Sequence, residues 1–404
     1  MSTHRSTVFA RLERRFREVY GNGLGLRCFT APGRTELAGN HTDHNNGCVL
    51  AAAIDLEIRA VAKPCDGVIG VHSAGWEQPF LIRLDDLGPH PEEAGTTGAL
   101  LRGVAAGFRR RGHRIGGFRA CVESNVPQGS GLSSSAAFEI LTGTILNSLY
   151  NNVQVAAVEL AVIGQEAENL HYGKPCGLMD QVSSALGGIV GIDFLHPASP
   201  QIRQLKLDWE AEGWALCIVD TQGRHGDLTA EYAAIRADMN RVAQCFGQEV
   251  LREVEPDRFW AGVAGLRSRV GDRAVLRAAH FFAENRRVEA MAEAMESADF
   301  DAYLRLVDAS GHSSAEFLQN LVPQGAVTDQ PMLLGLALTR KFLNGKGACR
   351  VHGGGFAGTI QAYVPKQDFP EYAKILTAVF GPGSVHALTV RTEPAGELCK
   401  PRIA

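Results

Sequence analysis

The chain has 404 residues, of which 45% are hydrophobic and 21% are charged, and its formal net charge is −4 at pH 7. This composition is typical of a folded globular protein, and the length predicts two domains because single hydrophobic cores stop growing before this size. A slightly acidic chain is a poor match for nucleic acid or an anionic membrane as its main partner. No apolar run approaches the length of a membrane span. The nine cysteines are scattered, which favours reduced thiols and a cytoplasmic location.

The first residues, Ser2 to Tyr20, predict a folded helix, because apolar side chains recur at helical spacing among arginines and glutamates. The acidic residues in this stretch count against a transit peptide. Further strands are predicted at Leu26–Thr30, Val49–Ala53, Ile58–Ala62, Val68–His72, Phe118–Val122, Ile189–Phe194, Trp214–Thr221, Thr359–Val364 and His386–Thr392. Helices are predicted at Thr97–Arg111, Ser134–Asn151, Val155–Tyr172 and Phe369–Phe380, with helical character dominating from Thr229 to Leu343.

Strands and helices mingle in both halves of the chain, so the predicted class is α/β or α+β. A Pro/Ser-rich break at His196–Pro200 places the domain boundary near residues 196–212. We therefore expect one domain over residues 1–205 and a second over residues 206–404.

Residues 127–137, Pro-Gln-Gly-Ser-Gly-Leu-Ser-Ser-Ser-Ala-Ala, connect a predicted strand to a predicted helix. Gly129 and Gly131 leave room for a ligand near the backbone, and Ser133–Ser135 lie where the helix must begin, with serine a favoured N-cap residue. The free amide groups and the dipole of a helix N-terminus suit a bound phosphate. A flexible linker is the alternative, but linkers rarely run straight into an amphipathic helix. The loop has neither the Walker lysine nor the third glycine of the dinucleotide fingerprint.

A second polar segment, residues 32–47, is flanked by strand-like runs. Arg34 offers a planar cation, and the other polar side chains are of the kind that grip hydroxyl groups. These other side chains are Asn40, His41, Asp43 and His44. A metal site at His41, Asp43 and His44 is an alternative, but adjacent loop positions rarely converge on one ion. A solvated turn is the other alternative.

The loop at residues 127–137 resembles the second motif of the GHMP kinases (galacto-, homoserine, mevalonate and phosphomevalonate kinases). Residues 33–45 resemble the galactokinase signature Gly-Arg-Val-Asn-Leu-Ile-Gly-Glu-His-Thr-Asp-Tyr-Asn. Three more segments are similar to galactokinase motifs and occur in the same order along the chain. They are Glu168 followed by Gly173-Lys174-Pro175-Cys176-Gly177-Leu178-Met179-Asp180-Gln181, then Arg224-His225 followed by Glu231-Tyr232, then Gly353-Gly354-Gly355-Phe356-Ala357-Gly358-Thr359.

The resemblance implies a two-domain GHMP kinase fold, with an N-terminal domain of the ribosomal S5 domain 2 type and a ferredoxin-like C-terminal domain. It also implies ATP-dependent phosphorylation of a sugar, first of all galactose, at the anomeric hydroxyl, with Mg²⁺. By the same resemblance Asp180 and Arg34 are catalytic, and the sugar contacts are Asn40, His41, Asp43, Gly177 and Tyr232. The implied ATP contacts are Ser73, Gly129, Ser130, Gly131, Leu132, Ser133, Ser134, Ser135 and Ala136, and the implied Mg²⁺ ligands are Ser134 and Glu168.

Four positions depart from the family pattern: Glu36 replaces asparagine, Asn40 replaces glutamate, His44 replaces tyrosine and Ala357 replaces glycine. In the family the glutamate at position 40 contacts the C6 hydroxyl, so the change puts the identity of the sugar in question. Galacturonate is an alternative substrate, because an amide donor can face a carboxylate. If galactose is the substrate, Asn40→Glu is expected to improve its use.

A non-catalytic sensor of sugar and ATP is the alternative from another class of protein. The complete phosphate loop, together with Arg34, Glu168 and Asp180, favours an enzyme. Other GHMP branches, such as mevalonate kinase, lack the segment from Arg34 to His44. The sequence leaves the oligomeric state open, and a monomer is compatible with it.

Overall fold

The structure is a computed structural model that describes residues 3–127, 130–174, 176–223, 228–356 and 358–398. Six residues of the predicted motifs lie outside these ranges, namely Gln128, Gly129, Pro175, Arg224, His225 and Ala357. The helices are α1 (Thr3–Tyr20), α2 (Thr97–Arg110), α3 (Ser134–Tyr150), α4 (Ala157–Ala167), α5 (Met179–Leu186), α6 (Thr229–Gln244), α7 (Pro256–Val270), α8 (Asp272–Glu296), α9 (Phe300–Ser313), α10 (Pro331–Leu343) and α11 (Phe369–Phe380). The strands are β1 (Arg27–Ala38), β2 (Cys48–Cys65), β3 (Val68–Ser73), β4 (Phe80–Arg83), β5 (Gly117–Ser124), β6 (Ile189–Asp193), β7 (Gln201–Leu205), β8 (Trp214–Asp220), β9 (Ala348–Val351), β10 (Thr359–Pro365), β11 (Val385–Leu388) and β12 (Gly396–Leu398).

The first sheet runs in the order β12-β1-β2-β5-β3-β4, and β6 pairs with both β2 and β7. Successive side chains of a strand point to opposite faces, and the core clusters follow this alternation. Phe29 packs on the face covered by α3 and α5, whereas its neighbour Cys28 packs with Phe9 and Phe16 of α1 on the other face. The sheet is therefore covered on both sides, with α2 and α4 stacked outside α3.

The second sheet has the order β11-β8-β10-β9 and is antiparallel throughout. Its apolar face packs against α10 and α11, with Ile360 and Val219 meeting Leu336 and Tyr372. The chain leaves the first sheet at the end of β7 and enters the second at β8, and β12 returns to the first sheet. The boundary between residues 205 and 206 stays a prediction.

Most predicted elements are confirmed, and four predictions differ in detail. The two strands predicted at Val49–Ala53 and Ile58–Ala62 are parts of one continuous strand, β2. The helix predicted over Val155–Tyr172 ends as α-helix at Ala167 and continues as a π-helical turn, Glu168–Tyr172. The strand predicted over His386–Thr392 is confined to Val385–Leu388, because its pairing with β8 ends there. The strand predicted at Leu26–Thr30 is longer and runs to Ala38. Among the described residues, no helix is long and apolar enough to cross a membrane.

Candidate active site

Arg34 and Asp180 form an ion pair where β1 meets the first turn of α5. Nε and Nη2 of Arg34 each lie 2.6 Å from one carboxylate oxygen of Asp180. The Arg34 side chain is 8% exposed and that of Asp180 is 25% exposed, so the pair is screened from bulk water on the arginine side only. Two parallel charge-assisted hydrogen bonds fix the planes of both groups. Asp180 is the second residue of its helix, and no side chain caps that helix.

The phosphate loop is bonded directly to β1. Arg34 donates from its main-chain N to Leu132 O at 3.1 Å and from Nη1 to Gly131 O. Ser133 donates its hydroxyl to the same Asp180 oxygen that Arg34 Nη2 contacts. Gly33 permits this approach, since a Cβ there would lie 2.8 Å from Leu132 O. The loop predicted to hold phosphates and the predicted catalytic pair therefore form one cluster.

Ser133 is the N-cap of α3, but its side chain makes no capping hydrogen bond. Its backbone is left-handed, with φ 56°, and its hydroxyl is turned towards Asp180 instead. The expectation that serine caps this helix through its hydroxyl is therefore wrong for Ser133. The first amide groups of α3 gain no partner from the cap side chain, which leaves them available to an anion.

His352 joins the phosphate loop to both sheets, a role that the sequence analysis missed. Its Nε2 accepts from the main-chain N of Glu36 at 3.2 Å, so the hydrogen of the neutral ring lies on Nδ1. Nδ1 then donates to Thr359 Oγ1 at 3.0 Å, and Thr359 donates to Ser130 O at 3.0 Å. Burial, followed by Arg34 and Arg350, lowers the pKa of His352 well below its ordinary value, which keeps this tautomer neutral.

The turn at residues 40–46, called here the sugar turn, carries a chain of hydrogen bonds through two histidines. His41 Nε2 donates to Gly354 O at 2.8 Å, so its Nδ1 accepts from His44 Nε2 at 3.0 Å. His44 Nδ1 lies 3.0 Å from Asp43 Oδ1. Burial lowers the pKa of His41 to about 3. Burial raises the pKa of Asp43, but His44 outweighs it and the value falls to about 2.

These side chains are joined to one another rather than arranged around a metal ion. Within the described ranges, no group of three or more His, Cys, Asp or Glu side chains is placed to hold one. The metal site considered for His41, Asp43 and His44 is therefore contradicted.

Gly177 and Tyr232 lie against the sugar turn from two sides. A Cβ at Gly177 would overlap Asp43 Oδ2, so this position must be glycine for the carboxylate to keep its place. The Tyr232 ring stacks on His41, with centroids 6.2 Å apart, and its hydroxyl donates to Gly355 O at 3.3 Å. Tyr232 is 37% exposed, which leaves part of the ring open to a ligand.

Asn40 is placed differently from its neighbours in the sugar turn. It is 1% exposed, and its Nδ2 donates to Gly353 O at 2.6 Å and to Glu36 Oε1 at 3.1 Å. Residues 353–356, called here the glycine loop, are thereby bonded to the sugar turn through both Asn40 and His41.

Glu168 begins the π-helical turn behind the phosphate loop and is 2% exposed. Its carboxylate accepts from Ser135 Oγ at 3.2 Å, Lys174 Nζ at 3.3 Å and Gln181 Nε2 at 3.1 Å. Ser134, the other predicted Mg²⁺ ligand, is the first residue of α3. Mg²⁺ is typically held by one or two carboxylates together with substrate phosphates and water. The serine hydroxyl that contacts Glu168 is that of Ser135, the residue after Ser134, and a buried carboxylate with serine hydroxyls at the start of α3 fits that donor set.

Gln181 bridges Glu168 to a second buried carboxylate that the sequence analysis missed. Gln181 Nε2 also donates to Glu139 Oε2 at 2.9 Å. Burial, followed by the charge of Glu168, raises the pKa of Glu139 well above its ordinary value. Glu139 therefore favours its neutral form beside the charge of Glu168. In the sequence, the one signal that pointed to this contact was that Gln181 directly follows Asp180 in the Met-Asp-Gln motif.

The remaining predicted ATP residues lie along the loop and on β3. Leu132 and Ala136 are buried, Ser130 donates its hydroxyl to Pro127 O at 2.8 Å, and Gly131 has φ 70°. Ser73 ends β3 opposite Val122 of β5, and none of its described contacts reaches the phosphate loop.

Cys176 is a partly buried free cysteine beside Gln181. Burial, followed by the charge of Glu168, raises the pKa of its thiol, which therefore stays protonated. Gln181 Nε2 lies 3.7 Å from its sulfur.

Comparisons with known proteins bear on the same segments. The family model of the galactokinase galactose-binding signature matches residues 14–64, and that of the GHMP kinases N terminal domain matches residues 99–188. A galactokinase of Streptomyces coelicolor is 32% identical over 379 residues, which make up 92% of this chain and 93% of that protein.

Solved structures share the fold. Galactokinase of Lactococcus lactis, complexed with galactose, matches with a TM-score of 0.82 at 23% identity, over 97% of this chain and 99% of that one. Mevalonate kinase of Methanococcus jannaschii matches with a TM-score of 0.64 at 15% identity, over 90% of this chain and 98% of that one. The fold expected from the motifs is thereby confirmed.

Proposed function

The chain belongs to the galactokinase family of the GHMP kinases and is a sugar kinase, and from this we propose that it transfers the γ-phosphoryl group of ATP to the anomeric hydroxyl of galactose. One observation supports the assignment of the groups that react: the bidentate ion pair of Arg34 and Asp180 lies directly against the phosphate loop. A carboxylate and a guanidinium at the start of a loop that binds phosphates are what an acceptor hydroxyl and a transferring phosphoryl group require.

We assign Asp180 to orient the anomeric hydroxyl and to accept its proton. Ser133 and Arg34 hold both carboxylate oxygens, so the direction of the carboxylate is fixed before the sugar binds. Arg34 is assigned to stabilise charge on the transferring phosphoryl group. Phosphoryl transfer is usually loose, so such positioning and neutralisation account for most of the catalysis.

We assign the sugar contacts to Asp43, His41, Gly177 and Tyr232. Asp43 is held by His44, and Gly177 leaves the space that its carboxylate occupies. The half-exposed ring of Tyr232 offers an apolar face and the carboxylate of Asp43 offers an acceptor, a combination that suits a sugar with a polar and a less polar side.

We assign the nucleotide phosphates to the loop over residues 129–136, with Ser73 near the adenine, and Mg²⁺ to Ser134 and Glu168. When bound, the ion neutralises charge on the phosphates. Until then Lys174 supplies a counter-charge to Glu168, through the contact at 3.3 Å. All eight cysteines within the described ranges are free thiols, which supports a cytoplasmic location.

A coupled assay of ADP formation tests the proposal, with galactose, galacturonate, N-acetylgalactosamine, glucose and fucose as separate substrates. We expect galactose to give the highest kcat/KM and galactose 1-phosphate to be the product. A strong preference for galacturonate would replace the substrate and leave the phosphoryl chemistry intact. Tight binding of sugar and ATP with no ADP formed from any of the five would identify a sensor instead.

A further inference from the structure

The amide of Asn40 has no hydrogen-bonding capacity left for a ligand. Its Nδ2 lies 2.6 Å from Gly353 O, and because a carbonyl oxygen only accepts, this contact fixes which end of the amide carries the hydrogens. The second hydrogen goes to Glu36 Oε1 at 3.1 Å. Oδ1 accepts from Asn320 Nδ2 at 2.8 Å and from Ser314 Oγ at 3.3 Å. Both donors and both acceptor positions are therefore taken by protein groups.

Arg350 explains why the carboxylate lies at position 36. Its Nη2 donates to Glu36 Oε1 at 2.6 Å and its Nη1 donates to Leu37 O at 2.6 Å. The Arg350 side chain is 0% exposed and that of Glu36 is 6% exposed. A guanidinium cannot lose its proton, so once it is buried it requires a charged partner.

Glu36 and Asn40 replace, respectively, the asparagine and the glutamate of the signature to which residues 33–45 are similar. A carboxylate and an amide have thus changed places across a single hydrogen bond. A carboxylate introduced at position 40 alone would face two acceptors, Gly353 O and Glu36 Oε1, and would lose both donors. We therefore expect Asn40→Glu to lower galactose use, which is the opposite of the expectation from the sequence alone.

We infer that Asn40, paired with Glu36, is a positioning residue that joins the sugar turn to the glycine loop and does not contact the sugar. The inference rests on the proposed function, which assigns sugar binding to the sugar turn. The main-chain oxygen of Asn40 accepts from His280 Nε2 at 2.9 Å, so α8 holds the backbone while the amide holds the glycine loop. The next residue, His41, contacts the following carbonyl of the same loop, Gly354 O.

Isosteric variants test the pair without changing its volume. Asn40→Asp removes the two donors, Glu36→Gln removes the charge, and the double variant Glu36→Gln/Asn40→Asp returns a donor and an acceptor to the shared contact. We expect the unfolding free energies in urea to be non-additive, with the double variant more stable than the sum of the single variants requires. Additive values would overturn the claim that the two residues act as one unit.

Steady-state kinetics then test positioning against sugar contact. We expect Asn40→Asp to raise KM for galactose by about tenfold, the equivalent of one strong hydrogen bond, while KM for ATP stays within about twofold. The double variant should recover part of the loss. An equal rise in both KM values would indicate a merely structural role and would overturn the inference.

The comparison of galactose with 6-deoxygalactose decides whether Asn40 contacts C6. We expect Asn40→Asp to lower kcat/KM for the two sugars by the same factor, because Asn40 touches neither. A loss confined to galactose would overturn the inference. If Asn40→Asp does not fold, Asn40→Ser gives the same comparison without added charge. If the wild type phosphorylates neither sugar, the proposed function fails, and the unfolding cycle still decides the Glu36–Asn40 pairing.

Discussion

Arg34 and Asp180 are 146 residues apart in the chain, yet both carboxylate oxygens of Asp180 lie 2.6 Å from Arg34 nitrogens. The contact brings β1 of the first sheet to the first turn of α5, beside the phosphate loop. Because the pair is bidentate, either residue loses both its charge partner and its orientation when the other is changed.

Asp180→Asn should lower turnover by about two to four orders of magnitude, the range for a lost general base. Binding of sugar and nucleotide, measured by calorimetry, should stay close to the wild type, because asparagine keeps the size of the side chain. Asp257→Asn is a matched control, since Asp257 is also the second residue of its helix and is exposed. Turnover in Asp180→Asn equal to that of the control would remove Asp180 from the mechanism.

Gly177→Ala should raise KM for the sugar by at least about tenfold, equivalent to one lost strong contact, and leave KM for ATP unchanged. The added Cβ would overlap Asp43 Oδ2, so the carboxylate must move away from His44 or the turn must shift. Gly88→Ala is the control, because Gly88 is an exposed loop glycine and a Cβ added there would have no atom within 4 Å. An unchanged KM for the sugar in Gly177→Ala would show that Asp43 does not bind it.

The elements and motifs were predictable because they are local. The helix after the phosphate loop was expected from Ser134 and begins there, since its apolar positions recur at helical spacing. His352 was not predictable, because it acts through contacts with Thr35 and Thr359 that only the meeting of two sheets creates.

Asn40 illustrates the same limit in the opposite sense. The sequence shows that Asn40 lies in the sugar turn. It does not show that Asn320 and Gly353 contact Asn40, or that Arg350 binds Glu36, because these residues are far apart in the chain. A polar residue in a binding motif can point towards the ligand or towards the protein, and burial decides which. This ambiguity does not arise for the phosphate loop, because its main-chain amide groups, rather than its side chains, are predicted to bind phosphate.

The unfolding free energy should fall as the pH drops below about 6.5, the ordinary histidine value. Burial lowers the pKa of His41 to about 3 and also lowers those of His280 and His352. Between about pH 6.5 and pH 3 the unfolded chain therefore binds protons that folded His41 does not, which costs up to about 1.4 kcal/mol per pH unit for each such group. Above about pH 6.5 these imidazole rings are neutral in both the folded and the unfolded chain, so they no longer make the unfolding free energy depend on pH.

Urea unfolding of the wild type and of His41→Gln at pH 7, 6, 5 and 4.5 measures this dependence. We expect a shallower pH dependence in His41→Gln, because one buried neutral ring is gone. His196→Gln, at an exposed position, should keep the slope of the wild type. Equal slopes in all three proteins would mean that His41 is protonated in the folded state.

Glu168→Gln should raise the Mg²⁺ concentration needed for half-maximal activity by about 10- to 100-fold. Glutamine keeps the contacts with Ser135 and the shape of the buried side chain but removes the charge that Mg²⁺ requires. Glu166→Gln is a matched control two residues earlier, because Glu166 pairs with Arg111 at 2.7 Å, away from the loop. Mn²⁺ binding, followed by electron paramagnetic resonance in the presence of ATP, provides a readout that does not depend on turnover. If both variants needed the same Mg²⁺ concentration for half-maximal activity, Glu168 would be only the ion-pair partner of Lys174. Another carboxylate would then have to be the Mg²⁺ ligand.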